Sequence, residues 1–314
     1  MSIVLDPTSP PTEARSTTGG DGRRRLRPGR IAAWGALIAL MVVTLFPFLW
    51  ILRTAFSTNA SLFAGDLSVL PTESTLVNFR RVLGLATAEE NIAAGGSGVG
   101  FDFWLYLRNS IVVATLTMVG QTTFCAMAAY AFARLHFRGR DLLFYLFLSA
   151  LMVPPIFVLI PNFLFLSNLG LLDTYAAVVA PFFFMTPFTV FFLRQFFLGI
   201  NVQIEEAAKL DGANHVQLFT RIVLPIMAAP LTTAAILSFI QSWNEYMWPL
   251  VVGQEPGVRV LTVALSLFRA GSPQAAPDWT GLMTATLLSA VPIIVLFLSL
   301  GRRVVDSIQF SGVK

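Results

Sequence analysis

EEAAKLDGANHVQLFTRIVLP, residues 205–225, is a charged helix–turn–helix pattern set between two long apolar segments. Asn201 is placed to cap the first helix. Glu205 and Glu206 then fall in its first turn, where negative charge meets the positive end of the helix dipole. Gly212 after Asp211 supplies the left-handed step that ends this helix and re-aims the chain. The second helix is expected to gather Val216, Phe219 and Val223 on one face, with Leu218 and Ile222 beside it, before Pro225 marks the start of the next apolar run. Two short polar helices attached to a long apolar one make a lever with a surface for another protein.

Outward from this stretch the chain is overwhelmingly apolar: 55% hydrophobic and 12% charged residues over 314 positions. That composition predicts an all-α integral membrane protein, since about 20 apolar residues cross a bilayer core of roughly 30 Å. Six stretches qualify: 31–52, 109–133, 142–166, 174–193, 226–248 and 281–300. None holds Asp, Glu, Lys or Arg except Glu245, near one end of the fifth. Lys and Arg divide 15 to 6 between the two sides that these spans define, and the 15 lie with both termini and the 205–225 lever. The positive-inside rule then makes both termini and the lever cytoplasmic. The net charge of +4 follows from this topology and does not indicate nucleic-acid binding.

Residues 1–30, rich in Pro, Ser, Thr, Gly and Arg, read as a disordered basic tail, and 31–53 as an uncleaved first span. An external segment, 54–104, follows, with a short helix near Phe79. AAGGSGVG at 93–100 lacks the Lys-Ser/Thr ending of a phosphate loop and reads as a flexible linker. Residues 105–301 form a five-helix core that includes the lever (199–225), and 302–314 a short tail. Prolines 154, 155, 161, 181, 187, 230 and 292 interrupt the spans and suit helices that kink around a path. In SWNEYMWPL (242–250), Trp243, Tyr246 and Trp248 suggest an interfacial aromatic belt. Asn244 and Glu245 either line a solute path or sit among headgroups. Cys125 reads as a small buried apolar residue, and His136 and His215 as solvated groups rather than metal ligands.

No nucleotide-binding loop, metal motif, catalytic constellation or cofactor site is present, and no span carries an ionisable group at mid-depth. This predicts a transport subunit without an energy site of its own, driven by a partner and paired with a second membrane subunit.

Glu206-Ala207-Ala208, Gly212 and Ile222-x-Leu224-Pro225, at their spacing, match the whole EAA motif of bacterial ABC importer permeases. The chain resembles the sugar-importing branch of that family, in particular the six-helix maltose permease G subunit. Further similarities are LRNS (107–110), AAYAFARLHFRGRD (128–141), VPP (153–155), LGLLDT (169–174), FFLRQFF (191–197), DGA (211–213), SWNEYMWPL and the ending GVK. The resemblance implies a type I ABC importer permease fold in the bacterial cell membrane, in contact with lipid. It implies a heterodimer with a second permease, two ATPase subunits and an extracellular solute-binding protein. It further implies that the lever docks in a cleft of the ATPase. Glu205, Glu206, Ala207, Ala208, Asp211, Gly212, Ile222, Leu224 and Pro225 would be the coupling residues, and 309–314 would reach the ATPase as well. Val202-Gln203 stands where the family commonly has a Pro-containing start, and the ending lacks the family's final Gly. A permease for a glycerol phosphate or polyol is the alternative within transport.

Overall fold

The computed structural model describes residues 28–65, 68–96, 101–266, 268 and 277–310. Residues 1–27 of the expected tail, the last four residues and half of the glycine linker (97–100) lie outside them, while Pro28, Gly29 and Arg30, expected in the tail, begin the first helix. The chain divides into two units, one ending at Phe48 and one beginning at Leu49. The first consists, in its described part, of most of helix α1 (Pro28–Ala55), which keeps Pro47 in its interior.

Everything else belongs to the second unit, whose described elements are helices joined by turns and loops, with an isolated bridge between Ser57 and Ser74. Three short helices follow α1 where one was expected: α2 (Asn59–Phe63), α3 (Val77–Val82) and α4 (Ala88–Ala93). Local caps explain the two that were missed. Thr58 accepts from Ser61 N–H, and Thr87 with Glu90 completes a capping box.

Helix α5 (Phe103–Arg134) is opened by Asp102, whose carboxylate accepts from Leu105 N–H. It runs 32 residues without a proline, about 48 Å at 1.5 Å per residue. Every fourth residue from Asn109, namely Val113, Thr117, Gln121, Cys125, Ala129 and Ala133, is buried. Such a row of small and polar side chains lets neighbouring helices come close, which drives packing where lipid offers no hydrophobic gain. Gly120 marks the tightest approach: a Cβ there would stand 2.4 Å from the Phe183 ring and 2.7 Å from its carbonyl.

The neighbours of α5 are broken. Helix α6 (Arg140–Ser149), extended by a 3-10 turn at Ala150–Met152, meets α7 (Pro155–Asn168) at 98°. Val153 precedes a proline and is therefore extended, and Pro155 then starts a new helix. Helices α8 (Tyr175–Phe183) and α9 (Pro187–Leu198) meet at 44° for the same reason, with Thr186 extended before Pro187. Inside α8, Pro181 cannot donate to the Ala177 carbonyl one turn earlier. The indole of Trp248 does so instead, at 3.0 Å.

The next pair carries the lever. Helix α10 (Val202–Leu210) leads to α11 (His215–Gln217), a π-helical turn (Leu218–Val223) and α12 (Leu224–Ile226). Pro225 does not end this helix. A proline ring crowds the carbonyl four residues earlier, here that of Arg221, and the π turn that precedes Pro225 is wider than an α turn. The break comes at Met227, where the chain bends 80° into α13 (Ala228–Asn244). Pro230 sits four residues past Ile226 and blocks a straight continuation.

After α14 (Met247–Val252) and α15 (Leu261–Leu265), α16 (Trp279–Phe310) closes the fold. It continues through residues expected to be a short tail, because nothing between Gly301 and Phe310 breaks a helix. Among the described residues, three helices are long and apolar enough to cross a membrane, or up to six if each bent pair is one span.

Three apolar clusters fill the interior, each built on a different part of α5. Ala129, Leu193, Phe197, Leu218 and Val223 pack at its C-terminal end. Ala114, Phe239, Trp243, Leu261 and Ala285 form the second, and Val113, Leu166, Val178 and Trp248 the third. Around α3, a buried polar set joins the 59–96 segment to the start of α16. Arg81 pairs with Asp278 and donates to Asn91 at 2.8 Å, while Asp278 also accepts from Asn59 and Gly281 N–H.

Candidate coupling elbow and polar cleft

Asn201 caps α10, its side chain accepting from Gln203 N–H, without the proline common at this point in the resembled family. Glu205 is buried, and its carboxylate forms an ion pair at 3.0 Å with Arg134, the last residue of α5. Both side chains are at most a tenth exposed. Arg134 also donates to the Ile200 carbonyl just before α10. Two short-range anchors therefore fix the entrance of the lever to the end of α5. Ala208, one turn after Glu205, is buried on the same side.

Glu206, Ala207 and Asp211 face outward, and Leu210 is 90% exposed. Gly212 has φ +84°, and a Cβ there would meet nothing within 4 Å. Only the backbone conformation, not space, requires glycine at this point. Asn214 and Gln217 then form a second capping box that starts α11. The Asn-x-x-Gln spacing in the sequence carried that signal.

Helix α11 and the π turn keep most of the expected face inside and leave out Val216. Leu218 and Val223 are fully buried, and Phe219 packs on Tyr130 with ring centroids 5.0 Å apart. Val216 is 70% exposed. The π turn adds a residue to the turn, which a period of 3.6 does not anticipate. Ile222 and Leu224 are half-buried and Pro225 is exposed. The outer surface of the elbow thus combines Glu206, Lys209 and Asp211 with apolar Ala207, Leu210 and Val216.

Sequence reasoning placed the aromatic residues of 242–250 in a belt, but Trp243 and Trp248 are each 5% exposed. Trp243 stacks on Phe239, and Trp248 serves the Ala177 carbonyl. Asn244 is exposed and turns back to donate to the Ile240 carbonyl at 2.9 Å. Glu245 ends α13, and its carboxylate accepts from Trp248 N–H at 3.2 Å. It lines a small cleft with Thr117, Gln121, Thr186, Ser238 and Ser242. Gln121 donates to the Thr186 hydroxyl at 2.6 Å and to Thr189 at 3.3 Å. Asn244 does not join this set. The polar row on α5 was the missed signal for Thr117 and Gln121, since both fall on the Asn109–Ala133 register.

A profile described as "Binding-protein-dependent transport system inner membrane component" matches residues 121–309, and the chain belongs to that family. It is thus an inner-membrane component of an ABC transport system. It is 31% identical over 93% of its length to the probable ABC transporter permease protein YurM of Bacillus subtilis, covering 91% of that protein. It is 30% identical to the trehalose/maltose transport system permease protein MalG of Thermococcus litoralis, over 88% of this chain and 94% of that one. The crystal structure of a bacterial ABC transporter involved in import of the acidic polysaccharide alginate shares the fold. A chain of it matches with TM-score 0.74 at 23% identity, over 93% of this chain and 99% of that one.

Proposed function

We propose that this chain is one membrane half of an ATP-driven importer for a sugar or oligosaccharide, with six spans and both termini in the cytosol. The second half is a different permease, two ATPase subunits act from the cytosol, and an extracellular binding protein delivers the solute. The relative named for trehalose and maltose supports the solute class. The 15-to-6 division of Lys and Arg supports the orientation.

The observation that carries the coupling role is the construction of the elbow. Its inner side is bound to α5 through Glu205 and Arg134, while Glu206, Leu210 and Asp211 stand free on the outer side. A surface held rigidly behind and open in front suits a partner that pushes on it. The ATPase engages Glu206 and the exposed apolar residues of the turn, and Leu224-Pro225 passes the motion into α13. The test is ATP-dependent uptake by the complete complex in vesicles, with Glu206→Lys and Gly212→Pro. Uptake is expected to fall to background in both, with ATPase subunits bound more weakly. Normal uptake by both variants refutes the coupling role.

A further inference from the structure

The cleft beside Glu245 has a feature that helix packing alone does not explain. Thr117 is 2% exposed, and its hydroxyl has no hydrogen-bond partner among the described residues. A threonine in an apolar helix normally donates to the carbonyl one turn earlier. In this protein Thr232, Thr233, Thr284 and Thr286 do so, at 2.7–3.1 Å; Thr54 and Thr122 share the unpartnered hydroxyl of Thr117, but of the three only Thr117 lines this cleft. Thr117 sits on the cleft wall and forgoes that bond. A buried hydroxyl without a partner is costly, and more so in a membrane.

The groups around it define what fits. Gln121 and Thr186 from one side, and Ser238, Ser242 and Glu245 from the other, are hydroxyls, an amide and one carboxylate. The carboxylate is already engaged by Trp248 N–H. Among the described residues no Lys, Arg or His lines the cleft. Hydroxyls and amides both give and accept, so they complement a group that does the same. The space of about 20 Å³ takes one oxygen, not a ring.

We propose that this cleft is a solute subsite on the permease itself, gripping one hydroxyl of an uncharged polyhydroxylated solute as it passes the α5–α13 face. The proposal rests on the importer reading above and deepens it, by making this chain, and not only the binding protein, a judge of the solute. Thr117 donates to the incoming hydroxyl, and Ser238 or Gln121 accepts from it.

The test uses the complete transporter in vesicles with its binding protein saturating, and maltose, trehalose and sn-glycerol 3-phosphate as probes. Thr117→Val keeps the shape and breaks no bond, so its thermal midpoint is expected to equal or exceed that of the parent. Its kcat/KM for the transported sugar is expected to fall 5- to 10-fold, while Thr232→Val, on the same fold but away from the cleft, transports normally. Sugar uptake by Thr117→Val equal to the parent's overturns the subsite and leaves the importer reading standing. Uptake of sn-glycerol 3-phosphate but of no sugar by the parent complex overturns both.

Discussion

Removing the charge of Arg134 gives the sharpest test of how the elbow is held. In Arg134→Met the aliphatic stem remains, but the Glu205 carboxylate is left buried without its cation and the Ile200 carbonyl loses its donor. Breaking a buried ion pair by removing one partner costs about 3–5 kcal/mol, whereas an exposed pair is worth at most about 1 kcal/mol. The side chains here are 10% and 7% exposed, so the larger figure applies. Replacing both partners, Arg134→Met with Glu205→Met, removes the uncompensated charge and is expected to recover most of the loss. The assay is a double-mutant cycle of reversible unfolding in mixed micelles, with amide hydrogen exchange of residues 202–210 as a local readout. A coupling of 2 kcal/mol or more is expected, with faster exchange in α10 for the single variants only. Single-variant losses below about 1 kcal/mol, or a double variant that simply sums them, would refute the claim that this pair anchors the elbow.

Gly120→Ala puts a Cβ against the Phe183 carbonyl, which is backbone and cannot rotate away, so α8 must shift. A loss of about 1–3 kcal/mol is expected in thermal or detergent unfolding. Trp248→Phe leaves the Ala177 carbonyl, already without a donor at Pro181, unpaired in an apolar setting. This change is expected to cost about 1–3 kcal/mol, and Pro181→Ala in the same background should return part of it by restoring an N–H. Gly212→Ala, at φ +84°, is expected to cost about 1–2 kcal/mol from backbone conformation alone, since space is free. Circular dichroism melts of the three variants in one detergent read these losses directly.

The parts of this fold legible in the sequence were those set by local chemistry. The Asn201 cap, the glycine turn at 212 and the α5 helix with its buried small residues all follow from residue type and spacing. The breaks at Pro155 and Pro187 were legible for the same reason, as extended residues before proline. What resisted reading was set by tertiary partners. Glu205 and Glu206 are adjacent and identical in type, yet one is buried against Arg134 and the other is exposed. Nothing local distinguishes them, because the distinction is made by the end of a helix seventy residues earlier. Trp243 and Trp248 resemble a belt in composition, and only the packing of α8 and α13 draws them inside. Val216 was expected on the buried face with Phe219 and Val223 and is exposed, just before a π turn that no regular period reports.

Helix α5 is the one long member of the packed bundle's middle that no proline bends, while the pairs around it are hinged at 98°, 44° and 80°. Its end holds the elbow, and Thr117 lies 17 residues back along it, about 25 Å at 1.5 Å per residue. A stiff rod of that length turns a tilt of about 5° into a displacement of about 2 Å at the far point. That is about the width of a hydroxyl. Stiffness in one strut, set among jointed ones, lets a small push at one end arrive undiminished at the other.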